Sequence, residues 1–425
     1  MTLMVTGLVY ATPNIQAPPD RTNADLEPNR QSGVVPILLP QQERPGFIEG
    51  SSLILKPRSY LLDRSRDSGA DVSGLALGGA LAFQSGWWLD RLRLSATAFT
   101  SQKVYGPSDK DGTQLFKPGP ESFSVLGEVN LDVRLTEDAG MRIGRQRLDL
   151  PYLGAHDIRM VPNTFEAVVL GNVAEQGLGY MTGYVDGIKR KNDDGFISMS
   201  EAAGAQGTDE GVAFAGARYK TVAGANVGVL YQHSFETFST LYAIAEAPFT
   251  LNEGTTLKTF LQYTDQRSEG DALIGDFQTS MIAAKLELQR DAWTWRLAAS
   301  TTDDEKGIQK PYGNPANYLS VIVEDFDRAG EDAWLIGLSY DFGRAGLGDL
   351  SLFTNVVSGN TPDSGPSASA DQTEYDLTVD YRFREHWAEG LWIRVRGAYI
   401  DQDESMGGDD FFDFRIILNY EFQLL

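Results

Sequence analysis

The chain contains no cysteine and only three histidines, His156, His233 and His386. Disulfide frameworks, thiolate zinc sites and cysteine nucleophiles are therefore excluded, and a histidine-rich metal site has too few ligands. Basic residues are also scarce: 36 Lys and Arg stand against 59 Asp and Glu, a formal charge of −23 over 425 residues. Proteins that bind nucleic acid concentrate Lys and Arg to displace phosphate counterions, so no nucleic-acid partner is expected. Long apolar runs are missing too, and no stretch approaches the roughly 18–20 residues of a membrane-spanning helix. A membrane β-barrel is not excluded by this, because its strands alternate lipid-facing and lumen-facing residues and never raise a hydropathy window. Nothing in the composition calls for a metal or a cofactor.

What is present begins with an N-terminal stretch, residues 1–11, that reads as a truncated signal peptide ending in Val9-Tyr10-Ala11 but without a basic start. Residues 12–45 are rich in Pro, Gln, Asn and charge and read as an extended leader. A single folded domain is expected over 46–425, since all-β barrels routinely exceed the usual domain size as one unit.

From Ser51 onward the pattern is period two, bounded by Gly, Asp, Asn and Pro clusters, which is the signature of strands. Leu391, Ile393, Val395 and Tyr399 share one face while Arg394 and Arg396 share the other. Tyr375, Leu377, Val379, Tyr381 and Phe383 alternate with Glu374, Asp376, Thr378, Asp380 and Arg382. Phe414, Ile416, Leu418, Tyr420 and Phe422 alternate with Asp413, Arg415, Asn419 and Glu421, with Ile417 the apolar exception.

The same reading predicts eighteen strands, near 51–64, 71–85, 90–103, 122–135, 140–148, 164–170, 177–187, 210–220, 226–235, 238–248, 255–266, 278–290, 293–302, 332–342, 350–358, 372–384, 391–401 and 411–424. Short connections such as 85–89, 136–139, 221–225 and 291–292 alternate with long ones such as 104–121, 149–163, 188–209, 303–331, 359–371 and 402–410. Short turns on one rim and long loops on the other describe an all-β, antiparallel transmembrane barrel of the outer-membrane type. Trp87, Trp88, Trp293 and Trp387 fall at the short turns, where an aromatic girdle would lie. Polar faces carrying Lys56 with Arg58, Glu128 with Asp132 and Lys285 with Glu287 suit a wet lumen.

With the strands in place, the chain resembles the OprD family of substrate-specific outer-membrane porins. The resemblance rests on Gly46-Phe-Ile-Glu-Gly-Ser-Ser-Leu53 with Arg58 and Asp63-Arg64, on Arg159-Met-Val-Pro-Asn-Thr164, and on Asp325-Phe326 with Ala329-Gly330-Glu331. Arg394-Val-Arg396 and Phe414-Arg-Ile-Ile-Leu-Asn-Tyr420 complete it. It implies an eighteen-stranded barrel whose third and seventh loops fold inward. It also implies passive uptake of small hydrophilic solutes, carboxylate-bearing aromatic acids or amino acids, guided by a lumen arginine ladder. Arg64, Arg159, Arg394, Arg396 and Arg415 match the ladder; Ser320 and Asp325 match the opposite, seventh-loop side of the constriction. Lys56, Arg58, Asp132 and Asp380 are further lumen residues.

A ladder has a physical rationale. A carboxylate entering a narrow pore loses hydration, which closely spaced guanidinium groups replace with charge-assisted hydrogen bonds. Several equivalent sites in series avoid one deep trap. Asp132 and Asp380 depart from the family, where lysine is usual, and favour an alternative: a general or cation-preferring porin. Tyr312 and Tyr318 are candidates to stack on a ring-bearing solute or to pack the seventh loop against the wall. The acidic pairs Asp303-Asp304 and Asp409-Asp410 offer glycosidase-like carboxylates, against which their loop setting favours solvated turns. The expected partners are outer-membrane lipid, lipopolysaccharide and a small-molecule solute, in a monomer or loose trimer.

Overall fold

The computed structural model describes residues 46–172, 176–346, 348–384 and 388–425. The signal-peptide and leader readings, and Trp387 and His386, lie outside these residues. Eighteen long strands form one antiparallel sheet. They are β1 (Ser52–Arg66), β2 (Val72–Gln84), β3 (Leu92–Tyr105), β4 (Phe123–Arg134), β5 (Ala139–Gln146) and β6 (Thr164–Asn172). Then follow β7 (Gly177–Lys189), β8 (Val212–Lys220), β9 (Asn226–Ser234), β10 (Phe238–Asn252), β11 (Thr255–Ser268) and β12 (Gln278–Arg290). The last six are β13 (Trp293–Thr302), β14 (Asp332–Asp341), β15 (Leu350–Asn360), β16 (Gln372–Arg382), β17 (Trp392–Gln402) and β18 (Phe411–Asn419). Each strand predicted from period two has its counterpart, with ends shifted by a few residues.

Every strand pairs with its sequence neighbours, and β1 pairs with β18 from Arg58↔Asn419 to Arg66↔Phe411. That last pairing closes the sheet and leaves no edge, which hydrocarbon demands because unpaired backbone groups there find no water. The alternation follows the sequence. In β13, Trp293, Trp295, Leu297, Ala299 and Thr301 are exposed on the outer surface, and Thr294, Arg296, Ala298, Ser300 and Thr302 are buried. Apolar side chains thus cover the outside and polar ones face the lumen, the inverse of a soluble sheet packed on a core.

Aromatic residues gather at both rims. At the short-turn rim Trp88 and Trp293 are exposed outward, and Trp293 lies 4.5 Å from Tyr340, itself 4.6 Å from Phe342. Trp87 departs from the girdle reading, being only 7% exposed, with its ring 4.8 Å from the Arg93 guanidinium and 4.5 Å from that of Arg134. Adjacent residues of an extended segment point to opposite sides, so only one of Trp87 and Trp88 reaches lipid. A second aromatic group at the long-loop rim, Trp334, Phe412 and the Tyr375–Tyr399 stack at 6.3 Å, completes the band.

The third loop (147–163) and the seventh (303–331) enter the barrel. Leu148, Leu150, Tyr152 and Leu153 of the third pack with Ile308, Tyr312 and Ala316 of the seventh against Phe165, Val169, Leu230 and Tyr242 of the wall. These wall residues are apolar at lumen positions because loops sit on them. Ile417 belongs to the same class: it is buried with Tyr60, Leu62 and Met160.

The outer surface fixes one expectation. Ile336, exposed mid-strand in β14, should tolerate no charge: Ile336→Arg is expected to cost about 2–4 kcal/mol. Urea titration in lipid, read by the heat-modifiable shift between folded and boiled bands on gels, measures it; an unchanged midpoint would place this strand face away from lipid.

Candidate functional site

The two inward loops are clasped together. The Tyr152 N–H donates to Asn314 O at 2.8 Å and the Gly154 N–H to Tyr312 O at 3.1 Å. The His156 N–H reaches Asn314 Oδ1 at 2.9 Å, and the Asn314 N–H donates back to His156 Nδ1 at 3.2 Å. Tyr152, His156 and Asn314 all adopt positive φ, of 59°, 43° and 50°. Such strain persists only where the surroundings over-determine it. Burial and the neighbouring Lys191 push His156 down to about 3, so it stays neutral and keeps accepting at Nδ1.

The clasp is moored to the wall on both sides. Arg58 of β1 holds Asp157 at 2.6 and 3.2 Å and donates to Arg159 O at 2.7 Å. Although burial opposes it, the Arg58 guanidinium holds the Asp157 carboxyl below the usual range. On the other side, fully buried Glu374 of β16 accepts the Val323 and Glu324 N–H groups at 2.9 and 2.8 Å. Within the seventh loop Lys310 lies 2.9 Å from Asp325 and 2.5 Å from Asp327. Burial works against the Lys310 charge, but the two carboxylates raise its pKa above the ordinary value, and Lys310 in turn keeps Asp325 low despite burial. Ser320 Oγ donates to Asp325 O at 3.4 Å.

The basic wall spans β17, β18 and β1. Arg64 pairs in register with Asp413, and Arg415 with Arg396. Arg64 donates Nε and Nη2 to Asp413 Oδ2 at 3.0 and 2.7 Å, and Arg415 Nε donates to Asp413 Oδ1 at 2.5 Å, so one carboxylate serves two guanidinium groups. Arg394 is bidentate on Asp380, at 2.7 and 2.7 Å. Arg396 stands apart. It is 4% exposed, donates only a long 3.3 Å bond from Nε to Thr378 Oγ1, has no ion pair among the described residues, and leaves Nη2 without a partner.

Arg159 is another buried cation of this kind. Its Nε and Nη1 donate to the carbonyls of Thr113 and Ile158 at 2.8 and 3.0 Å, and no carboxylate pairs with it among the described residues. Burial and the nearby Arg415 push it down to about 10, still charged at neutral pH. Lys191 of the fourth loop (190–211), which the sequence reading missed, has no ion pair among the described residues either; burial and Arg159 lower it to about 8. Its fourth-loop position carried no strand parity to mark it.

The other candidates separate. Lys56 pairs with Glu421 at 3.0 Å in an exposed position near the short-turn end of β1, away from the clasp. Asp132, fully buried near the end of β4, accepts from Arg93 at 3.0 and 2.7 Å and from Arg142 at 2.6 and 3.2 Å. Tyr312 is buried and stacks on Phe238 at 6.1 Å, which spends its ring on the wall. Tyr318 lies 5.9 Å from Phe260. The acidic pairs are turn-formers: Asp409 accepts from the Ser68 N–H and Oγ at 2.9 and 2.7 Å, Asp410 from Tyr399 Oη at 2.8 Å, and Asp303 from the Glu305 N–H at 3.0 Å.

A closed barrel of eighteen strands, short turns on one rim, and two inward loops facing a basic wall define an outer-membrane channel. The family model for outer-membrane porins of the OprD family matches residues 45–424, and the chain belongs to that family. Porin D of Pseudomonas aeruginosa is 23% identical over 91% of this chain and 94% of its own length. Among solved structures, OpdK of P. aeruginosa with vanillate superposes with a TM-score of 0.80 at 21% identity, covering 89% of this chain and 100% of its own. OccK9 of the same organism gives 0.81 at 22%, with the same coverage. A BenF-like porin from Pseudomonas fluorescens Pf-5 gives 0.80 at 19%, again covering 89% and 100%. The chain is accordingly a barrel of the Gram-negative outer membrane, with its short turns periplasmic.

The mooring of the seventh loop is testable. Glu374→Gln replaces one acceptor oxygen by a donor, leaving one buried N–H unpaired at a cost of about 1–3 kcal/mol. Open-channel current in planar bilayers should become noisier, with more frequent transitions between conductance levels; a trace as quiet as wild type would show that Glu374 does not hold the loop.

Proposed function

We propose that this porin passes small carboxylate-bearing solutes, aromatic acids or amino acids, along the basic wall formed by Arg64, Arg415, Arg396 and Arg394 and past Arg159. The observation that carries the reading is the contrast in pairing. Asp132, Asp157, Asp380 and Asp413 are each held by arginine, whereas Arg159 and Arg396 are buried cations with no carboxylate partner among the described residues. A dehydrated carboxylate supplies what they lack, and bidentate geometry suits it. The vanillate named with OpdK is a ring-bearing carboxylate of the proposed size. Ser320, Asp325 and Lys310 form the facing lip, where the second polar group of a solute would be met.

Reversal potentials in a KCl gradient, together with block by benzoate, arginine and glucose, test this. Arg396→Ala is expected to lower chloride-over-potassium permeability about threefold to tenfold, the equivalent of ~0.7–1.4 kcal/mol of lost attraction. Unchanged selectivity and block would refute the ladder. Equal passage of glucose and benzoate through the wild type would favour the general-porin alternative.

Lys191 adds a pH signature. A lysine held near 8 is charged below that pH and loses its charge above it. Anion preference should therefore fall as pH rises from about 7 to 9, and Lys191→Met should flatten this step; a step that persists in the variant would assign it to another group.

A further inference from the structure

Toward the periplasmic end of the lumen, arginines recur in one arrangement, at two places. Arg394 is bidentate on Asp380, and its guanidinium lies 4.6 Å from the Trp392 ring, which also lies 4.7 Å from Arg382. Arg93 gives Nε and Nη2 to Asp132, and its guanidinium lies 4.8 Å from Trp87, which also lies 4.5 Å from Arg134. Asp380 and Asp132 are 3% and 0% exposed. Each sits two residues from the periplasmic end of its strand, in β16 and β4 respectively.

The ring fixes the plane of the guanidinium, and the aspartate then occupies its Nε/Nη2 edge, the edge a bidentate solute would use. A travelling carboxylate gains little from an arginine whose edge is already filled by a carboxylate it cannot displace. Two residues outward on β17, Arg396 has no such cap among the described residues. Affinity for a carboxylate therefore steps down between Arg396 and Arg394. A channel needs such a step somewhere, since a site that binds well enough to admit a solute must also let it leave.

We propose that Asp380 and Asp132 are release residues, which cap Arg394 and Arg93 so that a solute leaving Arg159 and Arg396 meets no equally strong site before the periplasm. The proposal rests on the carboxylate reading above, and the test separates the two. With the full chain in planar bilayers and benzoate added on the outer side, Asp380→Asn should lengthen individual benzoate blocks about threefold to tenfold, because Arg394 regains a free edge. Asp380→Asn combined with Arg394→Gln removes cap and cation together and should return block durations to within about twofold of wild type. Blocks that do not lengthen in Asp380→Asn, or that stay equally long in the double variant, overturn the release role. Loss of block in Arg396→Ala keeps the carboxylate reading standing whatever the Asp380 arm gives, while unchanged block there removes both. Heat-modifiable migration verifies folding, and Asp132→Asn carries the same test at the Arg93 stack if Asp380→Asn fails to assemble.

Discussion

Pairing of β1 with β18 is the constraint on which everything else in this molecule depends. In hydrocarbon every backbone N–H and C=O must be satisfied within the protein, and a sheet achieves that only by closing on itself. Closure forces period two on the sequence, since each residue then has one lipid side and one lumen side. It also creates an interior too wide for wall side chains to fill at eighteen strands, which smaller barrels are not obliged to manage. The inward loops are the answer to that width, and the constriction they leave is the site.

The charge of the chain is redistributed by the same constraint. Acidic residues exceed basic ones by 23, yet Asp132, Asp380 and Asp413 in the lumen are each held by arginine. At the outer rim they accept backbone N–H groups in turns, as Asp303, Asp403 and Asp409 do. In the lumen they pair with arginine, as Asp132, Asp380 and Asp413 do. Removing one partner of a buried pair costs about 3–5 kcal/mol, because the other charge is stranded. That cost is why the unpaired state of Arg159 and Arg396 is informative. In a chain this rich in acid, Arg159 and Arg396 are buried and have no carboxylate partner among the described residues.

The sequence made the barrel legible because lipid enforces alternation strand by strand: Leu391 to Tyr399 already displayed the lumen face on which Arg394 and Arg396 lie. Parity alone puts Arg394, Arg396 and Arg415 on the lumen side, whereas the ladder role, with Arg64 and Arg159 in it, is what the family resemblance implies, since loops carry no parity. What stayed hidden were long-range pairings. Asp132 and Asp380 read as charge added to the ladder wall, and whether an aspartate adds charge or cancels it depends on the neighbouring strand, which period two does not specify. Trp87 and Trp88 were indistinguishable as neighbours, although one reaches lipid and the other meets arginine. Ile417 read as an apolar exception to the alternation, and it is, like Phe165 and Val169, a seat for an inward loop.

The clasp between the third and seventh loops shows how a channel keeps a narrow opening without a gate of regular structure. A loop held by side chains alone would sample many shapes, because each contact is separately breakable. Here the two loops share backbone hydrogen bonds in the manner of a short parallel ladder, Leu153 beside Tyr312. Neutral His156 and Asn314 lock its end with a reciprocal pair of bonds. Arg58 anchors one loop to β1 and Glu374 the other to β16, two strands from opposite sides of the closure seam. Sliding the clasp along the lumen would break both anchors together, and those anchors, on β1 and β16, flank the strands that carry Arg396 and Arg415, with Arg64 on β1 itself. The fixed height of the constriction relative to the basic wall is therefore a property of the same few hydrogen bonds that hold the loops together.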